Sequence, residues 1–210
     1  MIEPSAETAV AGLQRGIVYT LFRRNGWIWR FLVAAIFLAS LSPLLAGAET
    51  EDERLQRVKA AFVLNIARFV SWPKEALEQQ GDSLQLCLYR RNPLAEATET
   101  IEGKIVNGRT LRINLIKSLA QSPSCNILLI GLEEIQHFDE ESRHAPTSPL
   151  LTIADLTDID IPPPHQHALV TLVRNDARIG FEINLAKARR AKLQMSSNLL
   201  KLAKIVGDGT

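Results

Sequence analysis

The stretch Cys125-Asn-Ile-Leu-Leu-Ile130 decides the fold class, because it is a short, almost continuous apolar run with no polar alternation. A strand with that pattern is buried on both faces, which is the condition of a strand inside a parallel sheet covered by helices. Working outward, Leu84–Tyr89 and Thr110–Ile116 read as strands before it, and Leu150–Ala154 reads as one after it. The segments 168–173 and 177–183 read as a hairpin about Asn175-Asp176. Between them, Pro93–Ile101 and Leu132–His144 have helical character, and Asn107-Gly108 has turn chemistry. The order of elements predicts an α/β domain with a mixed sheet of about six strands flanked by helices on both faces.

The two ends of that region carry helical signals. In 52–70, Leu55, Val58, Phe62, Ile66 and Phe69 recur at spacings of three and four, predicting an inward stripe with Arg54, Arg57, Lys59 and Arg68 in solvent, and Trp72-Pro73 stops the helix. At the other end, Asn184 is placed to cap one short helix. Ser196-Ser197 is placed to cap another, with Leu199, Leu202, Ala203 and Val206 on one face.

Residues 1–48 read differently from the rest. Arg15, Arg23, Arg24 and Arg30 precede an uncharged run from Phe31 to Leu45, and Ala46-Gly47-Ala48 supplies the small-x-small pattern of a signal-peptidase site. The run is short of the ~20 apolar residues that a spanning helix needs, so the expectation is a cleavable signal peptide, 1–48, and one domain, 49–210. The chain has 24 basic and 23 acidic residues; with four Arg and two Glu in the leader, the remainder carries 20 and 21. That balance gives no basic excess of the kind nucleic-acid binding requires.

Cys87 and Cys125 are the two cysteines, both in the exported part. An oxidising compartment favours a disulfide between them, stabilising by roughly 4 kcal/mol in the chain-entropy model; two buried free thiols are the alternative. No catalytic constellation outweighs a structural reading. Ser196-Ser197 lacks a nucleophile elbow, and Gly103–Thr110 lacks Walker spacing. His165 and His167 share one face if extended but have no third ligand specified, so no metal or cofactor is expected. Asp155, Asp158 and Asp160 lack the pattern of a calcium loop and read as a solvated turn. Asn65, Glu182 and Asn184 are candidates for a polar structural network, and Trp72, His165 and His167 for partner or ligand contact.

Val58–Pro73, Gly103–Gly108, Cys125–Ile130, Phe181-Glu-Ile-Asn184 and Ser196–Val206 together resemble the YfiR family of periplasmic proteins that restrain membrane-bound diguanylate cyclases. The resemblance implies a six-stranded mixed sheet, a homodimer, no reaction of its own, and binding to the periplasmic sensing domain of an inner-membrane cyclase so that cyclic-di-GMP stays low. Pro162-Pro-Pro-His-Gln-His167 departs from the family, whose members carry glycines and a Met or Ile there. A small-molecule-binding sensor domain of another signalling or transport system is the alternative, and the two readings are compatible.

Overall fold

The structure, a computed structural model, describes residues 50–78, 80–159, 168–176 and 178–207. The expected leader, Asp160, His165 and His167 lie outside the described residues. Contacts divide the chain into residues 1–49 and 50–210, and the architecture below is that of the second unit.

Helix α1 (Glu51–Arg68) starts at Thr50, whose hydroxyl accepts from the Glu53 amide at 3.2 Å while the Glu53 carboxylate accepts from the Thr50 amide at 3.0 Å. This reciprocal pair satisfies two of the first turn's orphan donors. The chain continues through β1 (Val70–Ser71), α2 (Lys74–Glu78), β2 (Ser83–Tyr89), α3 (Ala95–Glu99), β3 (Ile105–Val106) and β4 (Arg109–Ile116). Asn107 and Gly108, at φ 50° and 80°, supply the two left-handed positions of the tight β3–β4 turn. A 3-10 segment, Leu119–Ser124, leads to β5 (Ile127–Ile130), α4 (Ile135–Ser142) and β6 (Leu151–Asp155). After β7 (Val170–Asn175) and β8 (Arg178–Asn184) come α5 (Leu185–Arg190), β9 (Gln194–Met195), α6 (Ser197–Leu202) and β10 (Lys204–Val206).

Eight strands form one mixed sheet in the order β10-β8-β7-β6-β5-β2-β4-β3, and β1 pairs with β9 separately. The run from β7 to β4 is parallel throughout, with antiparallel β8 and β3 beside its two ends. β5 sits near the middle and is buried at every position, as its composition requires. Its residues divide between two cores: Ile127 and Leu129 face one containing α1, α3, α5 and α6, while Leu128 and Ile130 face one containing Phe138 of α4. Helices therefore cover both faces.

Three expectations need correction. The main sheet has eight strands rather than about six because β3 and β10, of two and three residues, join its edges and are too short to show alternation. The stripe Leu199, Leu202, Ala203, Val206 is not a helix face: only Leu199 is buried in α6, Leu202 is 72% exposed, and 204–206 leave the helix to pair with β8 at 182–184. Helix α1 is rotated from its expected face, turning Lys59, Ala60, Val63, Leu64, Ile66 and Ala67 inward and leaving Val58 and Phe69 exposed.

Candidate functional site

Doubly wound sheets bind ligands beyond the carboxyl ends of strands, where neighbouring connections leave on opposite faces. Here that point lies between β2, followed by α3 against the first core, and β5, followed by α4 against the second. The crevice is filled. A Cβ on Gly131 would lie 2.9 Å from Pro93 Cδ, so the loop after β5 rests directly on the loop after β2. Buried Asn92 ties them further: its Nδ2 donates to the Leu129 carbonyl at 3.0 Å and its Oδ1 accepts from the Leu94 amide at 2.9 Å. Arg90 Nε adds an ion pair to Glu134 at 2.8 Å.

Farther along the same end, the fully buried Lys59 of α1 reaches the end of β6. Its ammonium lies 3.1 Å from Asp155 and 3.2 Å from Asp158. Asp155, 7% exposed, also accepts from the Thr157 hydroxyl at 2.8 Å and from the Thr157 amide at 3.2 Å. Arg174 of β7 donates to the Thr157 carbonyl at 3.0 Å and stands 3.8 Å from Asp158. Of the turn expected to be solvated, Asp155 is instead buried and Asp158 is half-exposed, and both pin α1 to the sheet through Lys59, since a buried ammonium persists only when charge partners satisfy it. Lys59 escaped the sequence reading because lysine rarely faces a core. Its place one turn before Val63, on the actual inward face, is the one signal that marks it.

The open feature lies by the amino ends of β5 and β6, between α5 and the second core. A cavity of about 800 Å³ runs between the 3-10 segment and the α4–β6 connection, lined by Leu119, Pro123, Phe138, His144, Leu150 and Arg190 among others. A second of about 430 Å³ shares Ser122, Pro123, Thr147, Ser148 and Arg190 with it and extends to Cys125, Asn126 and Lys192. Together they form one trough. Glu141 on its wall is committed to the fold, accepting from the Leu119 amide at 2.6 Å. Burial first, and the neighbouring Glu141 carboxylate after it, push the Tyr89 hydroxyl up to about 12. Sequence reasoning missed the trough because its lining comes from four separated segments.

Cys87 of β2 and Cys125, just before neighbouring β5, are disulfide-bonded with their Cα atoms 5.8 Å apart. Trp72 is 8% exposed and donates its indole N–H to the Asn126 carbonyl at 3.2 Å, so it offers little surface to a partner. Asn65 is exposed on α1 and accepts from Arg68 at 3.2 Å. Glu182 pairs with Lys204 at 2.8 Å, joining β8 to β10. Asn184 is buried and caps α5 by accepting from the Lys187 amide at 2.9 Å. Glu182 and Asn184 thus lie two residues apart on β8, while Asn65 lies on α1. Among the described residues, no cluster of three or more His, Cys, Asp or Glu could hold a metal ion.

Residues 56–204, well over half of the chain, match the family model described as YfiR/HmsC-like, and the chain belongs to that family. No curated protein matches the sequence.

Proposed function

Starting from membership of the YfiR/HmsC-like family, we propose that this protein is a periplasmic regulator that binds and represses the periplasmic sensor domain of an inner-membrane diguanylate cyclase, keeping cyclic-di-GMP low. The observation that carries this reading is the family match from 56 to 204, which takes in β1 through β9 and reaches the first residue of β10. Export through a signal peptide cleaved after Ala48 accords with the Arg-led apolar run in the leader. It also accords with the Cys87–Cys125 bond, which persists in an oxidising compartment. Among the described residues no helix is long and apolar enough to cross a membrane. Exposed Val58 and Phe69, about three turns apart on the outer side of α1, are suited to a contact with that partner or a second copy.

The test combines recovery of partners from solubilised inner membrane by the tagged protein with cyclic-di-GMP measurement in a deletion strain. Capture of a cyclase together with a nucleotide rise on deletion is expected. No capture and no rise would sink the regulator reading. A second reading, that the domain senses a small molecule, is favoured by the open trough and is compatible with the first, because a ligand held there could bias partner binding.

A further inference from the structure

Strand β4 is eight residues long, but the strand on its outer side, β3, covers only its first two. Just beyond, Gly103 donates to the Leu111 carbonyl at 2.9 Å and Leu111 to the Lys104 carbonyl at 2.8 Å, and there the outer pairing stops. At the far end the Lys117 amide donates to Gln121 Oε1 at 2.7 Å. Alternate residues of β4 give their backbone groups to β2: Thr110 donates to the Asp82 carbonyl, and the Ile116 carbonyl accepts from Arg90. Ile113 and Leu115 therefore turn theirs outward. The Ile113 amide reaches the Glu102 carboxylate at 3.5 Å, where a neighbouring strand would set a carbonyl. Among the described residues no strand lies beyond Leu115 on that side.

Side chains make the same edge selective. Leu115 is 61% exposed, on the face where Ile113 packs against the first core. Arg112 stands on the opposite face, and Lys104 and Lys117 flank the open stretch. All three are exposed and, among the described residues, have no ion-pair partner. Such cations oppose pairing with a second copy, which would bring its own Arg112 and Lys117 to the same short ladder. They favour a strand of the opposite sign.

We propose that the outer edge of β4, residues 112–116, is a docking edge for an extended segment of another protein that alternates apolar and acidic residues. The segment's backbone extends the sheet through Ile113 and Leu115, an apolar side chain covers Leu115, and carboxylates on the other face meet Arg112, with Lys104 and Lys117 at the ends. In the regulator reading a membrane partner supplies that segment, but the chemistry of the edge is independent of which protein does so.

The test titrates the 15N-labelled protein with the peptide acetyl-Val-Glu-Val-Glu-Val-Glu-amide and follows backbone amide shifts and hydrogen exchange. The controls are the counterpart with Lys in place of Glu, and the acidic peptide methylated on all its backbone nitrogens, which cannot complete a ladder. Saturable shifts centred on Ile113 and Leu115, with slowed exchange of the Leu115 amide, are expected from the unmethylated acidic peptide alone. Arg112→Glu with Lys117→Glu should weaken that peptide about ten-fold, the scale of two cross-strand charge pairs turned from attractive to repulsive, and admit the lysine peptide in its place. Leu115→Pro removes an outward N–H that the β2 ladder does not use and should abolish binding; should that variant fail to fold, the charge reversal decides. Equal binding of the acidic and basic peptides would overturn the partner chemistry. No response at 113 and 115 to any peptide would overturn the docking edge itself, while the regulator reading stands or falls separately on capture of a cyclase.

Discussion

The carboxyl end of the parallel strands and the trough both contain charged residues, but the first encloses them and the second sets them beside an open volume. At the carboxyl end, Lys59, Asp155 and Asn92 are enclosed, each with partners at hydrogen-bond distance, and Gly131 rests against Pro93. In the trough, Lys187, Arg190 and His144 stand over buried apolar side chains beside an open volume. A charge enclosed by its partners contributes to architecture, because its removal leaves another charge stranded. The usual ligand crevice of a doubly wound sheet has here become a structural joint, and the opening lies elsewhere.

The sharpest way to break this contrast is at Lys59. Lys59→Ala leaves Asp155 enclosed without its ammonium and should lower unfolding free energy by about 3 to 5 kcal/mol, the cost of breaking a buried pair. Replacing both partners, Lys59→Met with Asp155→Leu, should recover most of that loss, because the stranded charge is gone. Denaturant midpoints of the two variants decide the matter: equal losses would mean that packing rather than charge holds α1 there. Next in size is the disulfide, which joins β2 to β5 between the two regions and closes a separation of 38 residues. Cys87→Ala with Cys125→Ala should cost about 2 to 4 kcal/mol, measured against the oxidised protein.

Gly131→Ala should come third. The added methyl meets Pro93 Cδ at 2.9 Å, and overpacking of this kind costs about 1 to 3 kcal/mol. Loss of stability at Gly131 with none at the trough would sharpen the distinction between joint and opening. Thr147→Ala, at an exposed position lining both cavities, should stay within about 0.5 kcal/mol of the parent. A loss comparable to that of Gly131→Ala would mean that the trough wall is itself part of the fold's support.

Much of the joint's frame was legible in the sequence and little of its chemistry was. The buried run at 127–130, the Asn107-Gly108 turn and the caps at Asn184 and Ser196 each depend on local composition, which one sequence carries in full. Helix α1 carries apolar residues on two overlapping stripes, and only the partner surface selects Ala60, Val63 and Ala67 over Val58 and Phe69. Once that choice rotates the helix, Lys59 turns inward, and Asp155, 96 positions away, becomes its counter-ion. Likewise, Leu199, Leu202, Ala203 and Val206 have helical spacing, yet 204–206 satisfy their backbone on the edge of β8. Tertiary pairing overrides periodicity in short segments because three residues of helix contribute less than three residues of ladder.

Tyr89 connects the two regions and gives the smallest effect at neutral pH. It closes β2 at the carboxyl end, packs edge-on against Phe138 at 6.0 Å, and senses Glu141 on the trough wall. Its hydroxyl is held protonated to about 12 in the folded chain, against about 10 when unfolded. A folded pKa above the unfolded one means that this stabilisation is complete below pH 10 and disappears as pH rises from about 10 through 12. Tyr89→Phe should therefore remove that part of the alkaline decline while leaving the protonation-dependent part untouched at pH 7. Tyr19 is the chain's one other tyrosine, so tyrosinate absorbance of a Tyr19→Phe variant reports Tyr89 alone. Its midpoint should lie near the raised value and fall partway, not fully, in Glu141→Gln, because burial is the larger cause and the carboxylate the smaller. A midpoint already at about 10 in the parent would show that water reaches this ring, and that the trough runs deeper toward the joint than its walls imply.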